Sequence, residues 1–305
     1  MENLYDTLHD VGFDDREFLP NAERRWNTPR YFHKQSSLAK TILAAGGLQP
    51  VDLVALCEVE NDSVMHFLCR RTRLARLGYE YLVTHSADRR GIDVALLYQP
   101  ETFALLHSET YRVPYDSLRE RPTRDLLHAA GRLPFGDTLD VFVVHFPSRR
   151  GGATISEPYR LRAAGILRHL ADSIARCRHT PRLLAMGDFN DEPHNASVSR
   201  VLAPTFAELT SHATPLPAEG HDDIEGSYYF RGEWSRIDQI LVSPALLSPT
   251  MKFHTTPQSV HLLAFPPLLE TLGRGTLSKP FRTYLGPFYH GGISDHLPLC
   301  IDFFY

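Results

Sequence analysis

The sequence is short of several things, and each shortage removes a class of protein. Cysteine occurs four times in 305 residues, at Cys57, Cys69, Cys177 and Cys300, with no paired spacing. A disulfide framework or a zinc knuckle needs such spacing, so these read as buried or spare thiols. No apolar run approaches the roughly 18 residues that cross a bilayer. The first residues, "MENLYDTLHD", lack the basic and apolar regions of a signal peptide. Taken as written, the chain is expected in the cytoplasm, or secreted or periplasmic if a leader has been removed. Charge of one sign is also missing. The net charge is −4 and the pI about 6.5, so no global field draws nucleic acid, and there is no basic, aromatic-studded stripe. Internal repeats and linker-like stretches are absent as well, and residues 1–305 read as one domain, expected to be monomeric.

What is present is an interleaving of apolar strands and helices. Strands are predicted at "VDLVALCEV" (Val51 to Val59), "YEYLVTH", "GIDVALLYQ", "ETFALLHSETYRV", "RDLLHAAGRL", "DTLDVFVVHF", "LLAMGD", "SRIDQILVS" and "LPLCIDFFY". Helices are predicted from about Ser36 to Ala45, from Asn61 or Asp62 to near Gly78, from Glu157 to about Arg176, and from Ala196 to Leu202. The helix beginning at Glu157 carries Leu161, Ala164, Leu167, Ala171 and Ile174 at helical spacing. The segment from Ser248 to Gly292, rich in Pro and Gly, is predicted to form long loops. Helices between strands together with hairpins suit a mixed sheet rather than a purely parallel one.

Polar groups stand where these strands end. Glu58 lies in "ALCEVEN", His145 in "VVHFPS", Asp188 and Asn190 in "GDFND", and Asp295 with His296 in "SDHLP". Asp238 interrupts the apolar run "RIDQILVS". Each alone also fits a turn, a cap or a satisfied core group. Together they need a common explanation, because every buried charge requires a partner.

In that order, "CEVEN", "HFPS", "GDFND", "RIDQILVS" and "SDHLP" resemble the motif series of the endonuclease/exonuclease/phosphatase superfamily, over Val51 to Pro298. The chain also resembles uncharacterised bacterial members of that superfamily in carrying "CEVEND", "GIDVALLY", "PTRD", "HFPSR" and "EPYR". The resemblance implies an α/β (α+β) fold: a four-layer α/β/β/α sandwich of two mixed β-sheets flanked by helices. It implies a metal-dependent hydrolase of phosphate esters, a phosphodiesterase or endonuclease-like enzyme. The alternatives are a phosphomonoesterase acting on inositol, lipid or nucleotide phosphates, or a non-catalytic binding module. Glu58 resembles the metal-binding glutamate, and Asp295 the neighbouring second metal ligand. Asp188 and Asn190 resemble the pair that positions water and phosphate. Asp238 resembles the aspartate that orients the last histidine, His296, which touches the phosphate. His145 matches a further histidine of the deoxyribonuclease branch. In relatives a core strand ending in asparagine precedes the segment like "ENLYD"; here it falls ahead of Met1, so the first core strand is expected to be missing or truncated.

The chemistry asks for such groups independently. Hydrolysing a phosphate ester requires a barrier reduction on the order of 20 kcal/mol. One positioned histidine supplies only about 10²- to 10⁴-fold. A divalent cation and fixed donors are expected to supply the rest. Hard carboxylate ligands with no thiolate favour Mg²⁺ or Mn²⁺. Arg124 in "RPTRD", Arg149 and Arg150 in "HFPSRRGG", and Ser148 are candidate substrate-binding groups for phosphate oxygens. His221, Asp222 and Asp223 read as a hydrophilic loop. The expected substrate is a phosphate ester, either nucleic acid or a small phosphorylated molecule.

Overall fold

The computed structural model describes the chain except residues 117–119, 218–219, 221–222 and 273–276. His221 and Asp222 therefore lie outside the described residues. In chain order, strands β1 (Leu53–Val59), β2 (Glu80–Val83) and β3 (Asp93–Tyr98) form one antiparallel sheet, with β3 in the middle. A second sheet takes β4 (Ala104–Tyr111), β5 (Leu126–Arg132), β6 (Thr138–His145), β7 (Leu183–Asp188) and β8 (Ala207–Glu208). After β9 (Thr214–Leu216) and the hairpin β10 (Tyr228–Phe230)–β11 (Glu233–Ser235), β12 (Asp238–Val242) returns to that sheet between β7 and β8. β6 and β7 are parallel and the other pairs antiparallel, which makes the second sheet mixed.

Among the described residues three α-helices cover the sheets: α1 (Thr28–Gly46), α2 (Asp62–Arg71) and α3 (Ala153–Cys177). Strand alternation sorts side chains into layers. Val94, Leu96 and Tyr98 of β3 meet Leu127, Val141, Val143, Leu184, Ile240 and Val242 of the second sheet in one buried cluster. The opposite face of β3, Ala95 and Leu97, packs with Leu38, Ile42, Val64 and Leu68 of α1 and α2. Leu126, Phe142, Val144, Leu183, Ala185 and Leu241 pack on Ala163, Ala164, Leu167 and Ala171 of α3. The layers run helix, sheet, sheet, helix: a four-layer α/β/β/α sandwich.

Several element ends differ from expectation for local reasons. α1 begins at Thr28 because Asn27 caps it, accepting from the Arg30 amide at 3.2 Å with Pro29 in the first turn. α2 stops at Arg71, where the Thr72 hydroxyl turns back onto the Leu68 carbonyl at 2.5 Å and starts a 3-10 turn, Arg73–Arg76. The segment expected to be loops also holds short paired strands. β13 (Val260–Leu263) lies between β9 and the last strand; β14 (Leu269–Leu272) pairs with β15 (Leu277–Pro280), and β16 (Tyr284–Leu285) with β17 (Phe288–Tyr289). The last strand, β18 (Leu299–Ile301), is shorter than "LPLCIDFFY". At the free side of β1, Leu4 makes a parallel bridge to Val59, with its amide on the Glu58 carbonyl at 2.8 Å. Among the described residues no helix is long and apolar enough to cross a membrane.

Candidate active site

Strand register builds the site. β6, β7 and β12 run side by side so that His145 stands opposite Asp188, and Asp188 opposite Asp238. Sequence positions 145, 188 and 238 thus become one row across the end of the second sheet. Gly187 allows the approach: its φ is +138°, and a Cβ there would lie 2.0 Å from the Val144 carbonyl oxygen. His296 joins the row through a bridge between its backbone and Tyr228 of β10.

Asp238 receives two hydrogen bonds on the same oxygen, from His296 Nδ1 at 2.7 Å and from the Ser227 hydroxyl at 2.5 Å. Burial would drive the His296 imidazole towards neutrality, but Asp238 and Asp295 outweigh it and push its pKa up to about 10. Burial likewise works against the Asp238 carboxylate, and His296 and Ser227 overcome it, so the net shift is downward. The pair is an ion pair: imidazolium against carboxylate. Asp188 differs. Burial raises its pKa to about 7 against the pull of His296, and Asp238 adds to the rise. His145 sits with Nε2 3.4 Å from Asp188 Oδ2. Burial, then Arg124 and Arg90, hold it well below the usual histidine range, so it is neutral. The two histidines thus differ in charge, one cationic and one neutral.

Asn190 has φ +50° in the left-handed region, which asparagine tolerates better than most residues. There its amide donates to Asp188 Oδ1 at 2.8 Å and its Nδ2 to the Phe146 carbonyl at 3.1 Å. Arg149 holds this turn from outside, donating to the Asn190 carbonyl at 2.7 Å and to Asp191 at 3.1 Å. Arg160, from the "EPYR" segment, ion-pairs with the same Asp191 at 2.8 Å.

Glu58 comes from the other sheet. The β1–β3 register slips between Cys57 and Val59, and Glu58 occupies that bulge with φ +60°. Its Oε2 accepts the Asn3 amide at 2.8 Å, and its Oε1 faces Arg90 at 3.3 Å. Asp88 joins Arg90, at 3.6 Å, to Arg124, at 3.1 Å, and Arg124 donates on to the Phe146 carbonyl at 2.6 Å. Glu58 is thereby wired to the His145–Asp188 end of the second sheet. Asp295 pairs with Arg282 at 3.1 Å, and Arg282 also holds Glu2 at 3.2 Å. Lys34, buried against the Glu2 carbonyl and the Thr283 hydroxyl, has its pKa lowered by burial to about 8, and Glu2, Glu58 and Asp295 oppose the fall. Glu58 and Asp295 therefore act on one ammonium.

Of the arginines read as phosphate ligands, Arg124 is buried and spent on Asp88 and Phe146, and Arg149 on the Asn190 turn. Ser148 accepts the Arg150 amide at 3.2 Å on an exposed loop, and Arg150 is exposed beside it. Sequence reasoning passed over Arg90, Ser227, Tyr228 and Arg282. The signal for Arg90 was the turn "DRRGIDV", whose basic tip precedes a buried strand. For Ser227 and Tyr228 it was an aromatic run placed shortly before "RIDQ".

Ligand atoms of Asp188, Asp238 and His296 lie within 4.8 Å of one another, close enough to surround an ion. The His296 Nδ1 is already engaged by Asp238, and a cation there would compete with that proton. Glu58 and Asp295 lie outside that group, Glu58 against Arg90 and Asp295 against Arg282, while carboxylates with no thiolate are the donor type that suits a hard divalent cation.

Fold and site define a class: four-layer sandwiches whose two sheets end at a shared cluster of acids and imidazoles. The chain belongs to the Endonuclease/Exonuclease/phosphatase family, whose sequence model matches residues 1–304. It is similar in structure to an endonuclease/exonuclease/phosphatase from Bacteroides vulgatus, with 14% identity, TM-score 0.62, and 96% of this chain and 95% of that one covered. It is also similar to a mannosyl-6-phosphatase of Bacteroides thetaiotaomicron VPI-5482, with 14% identity, TM-score 0.57, and 90% and 91% covered. A third similar structure is D. rerio TDP2 complexed with single-strand DNA product, with 16% identity, TM-score 0.55, and 87% and 90% covered. No curated protein matches by sequence.

Proposed function

We propose that the protein is a metal-dependent phosphodiesterase that hydrolyses its ester by in-line attack of water. The observation that carries this reading is the charge division in the His145–Asp188–Asp238–His296 row. His296, held cationic by Asp238, offers its Nε2–H to a phosphoryl oxygen and stabilises charge that grows in the transition state. Asp188, whose carboxyl titrates near neutrality, accepts the proton of the attacking water. Asn190, pinned between Phe146 and Arg149, fixes the turn that aims Asp188. Neutral His145, with Nε2 3.4 Å from Asp188, adds no positive charge that would suppress its basicity.

Glu58 and Asp295 are the residues that would hold Mg²⁺ or Mn²⁺, facing the row from the other sheet and from the segment before β18. When bound, the cation supplies charge neutralisation at the phosphoryl oxygens. Arg90, half-exposed beside Glu58, is better placed than buried Arg124 to meet a phosphate oxygen. The reading takes residues 1–305 as one monomeric domain.

Similar folds that include a mannosyl-6-phosphatase and a protein complexed with a single-strand DNA product leave both monoester and diester chemistry in range. The test compares bis(p-nitrophenyl) phosphate and a single-stranded oligonucleotide with p-nitrophenyl phosphate, in Mg²⁺ and in chelator. Diester cleavage that needs the metal and exceeds monoester cleavage is expected. Release of phosphate from the monoester alone would replace the phosphodiesterase reading with a phosphatase.

A further inference from the structure

Beside the catalytic row runs a line of rings. Tyr228 lies with its centroid 4.7 Å from the His296 imidazole. Phe230, two residues on and therefore on the same face of the β10–β11 hairpin, stacks on Tyr228 at 6.2 Å with 14° between planes. Phe230 is 52% exposed on its three-residue strand. The rings thus lead from the half-buried imidazole to the surface. At the outer ring, Phe230, opens a cleft of about 330 Å³, lined also by Arg231, Lys279, Arg282 and Asp295. Asp295 lines this cleft and also stands 4.0 Å from His296 Nε2, so the cleft adjoins the catalytic row.

The cations of the cleft are not equivalent. Lys279 pairs with Glu270 at 3.2 Å, and Arg282 with Glu2 and Asp295. Arg231 has no acidic partner among the described residues; its guanidinium lies 5.2 Å over the Phe230 ring. A guanidinium on a ring face occupies the place that a planar ligand ring would take. Displaced, it turns to a neighbouring anion without breaking an ion pair.

We propose that this cleft is a second subsite, resting on the phosphodiesterase reading above, that takes the nucleoside unit next to the scissile phosphate. The base stacks on Phe230, and Arg231 binds the flanking phosphate. The preferred substrate class is then single-stranded nucleic acid or a short oligonucleotide, because a base inside a duplex has no free face to offer. Stacking of one base on a protein ring changes affinity by roughly ten- to a hundredfold.

The test is equilibrium binding in Mg²⁺ to protein carrying Asp188→Asn, so that ligands stay intact. Thymidine 3′,5′-bisphosphate is set against 1,3-propanediol bisphosphate, which has the two phosphates without a base. We expect about tenfold tighter binding of the thymidine compound. Phe230→Ala should bring that ratio close to one, and Phe230→Trp should keep it. Equal affinity of the two ligands, or a ratio that survives Phe230→Ala, overturns the subsite. Hydrolysis by the wild-type chain is scored separately. Failure to turn over any phosphodiester would end the phosphodiesterase reading, while the binding ratio would still decide the subsite.

Discussion

At the scale of single residues, the site is a problem of charge placement solved by pairing. Asp188 has the least favourable position, since its carboxyl is buried and its pKa raised to about 7 by that burial. The folded chain therefore binds more protons at Asp188 than the unfolded chain between the ordinary value and about 7, so stability falls as pH rises across that range and the full cost is present above it. Asp188→Asn is expected to melt at or above the wild-type temperature at pH 8 while losing about 10²- to 10⁴-fold in kcat. Melting and turnover of one preparation check both halves. A lower melting temperature together with retained turnover would remove Asp188 from its role. His296 carries the opposite sign. Its raised pKa means the folded state holds a proton that the unfolded state releases above its ordinary value, so this stabilisation is complete below about 6.5 and lost as pH rises through about 10. The rate is expected to fall through the same upper value. Asp238→Asn removes the second-largest influence on that pKa, after burial, and the largest that raises it. It should move the alkaline limb of kcat/KM to lower pH. An unmoved limb would show that another group sets it. These residues were legible in the sequence because buried acids at strand ends are costly and stand out. Their partners were not: Ser227 and Arg282 are ordinary residues until the fold brings them to Asp238 and Asp295.

At the scale of elements, register does the work. The row 145–188–238 exists because β6, β7 and β12 pair without a slip, whereas Glu58 reaches the site because β1 does slip. Gly187 and Gly165 make a contrasting pair. A methyl at Gly187 would strike the Val144 carbonyl at 2.0 Å, at a φ that L residues avoid. Gly187→Ala is therefore expected to lower the melting temperature by roughly 5–10 °C. Gly165, inside α3, has nothing within 4 Å of an added Cβ. Gly165→Ala should stabilise by about 0.5–1 kcal/mol, from helix propensity and reduced chain entropy. The long strands and α3 were readable because their periodicity runs over many residues. The short strands between Val260 and Tyr289 were not, because two to four residues carry no period, and β13 in addition pairs with the remote β9 and β18. The Pro-rich composition there pointed to loops, and tertiary pairing overrode it.

For the whole molecule, two sheets that share a buried face bring their strand ends to one place. Glu58 arrives on the first sheet, the His145–Asp188–Asp238 row on the second, and Asp295 with His296 on the segment before β18. Four layers were expected from the motif resemblance rather than from periodicity, since strand patterns reveal which faces are apolar but not which sheet covers which. The gathering of acids has a thermodynamic consequence as well. A cation that binds only the folded chain raises stability by mass action, about 2.7 kcal/mol at a hundredfold excess over Kd. Mg²⁺ should therefore raise the wild-type melting temperature and raise that of Glu58→Gln less. The same carboxylate must govern catalysis if the sheets cooperate around one cation. The most direct measurement is hydrolysis of bis(p-nitrophenyl) phosphate by chelator-stripped protein as Mg²⁺ is titrated back, with Glu58→Gln alongside. The account predicts no turnover without metal, full recovery in the wild type, and at least about tenfold more Mg²⁺ needed by the variant. Turnover that persists in chelator, or a variant that titrates with the wild type, would contradict it.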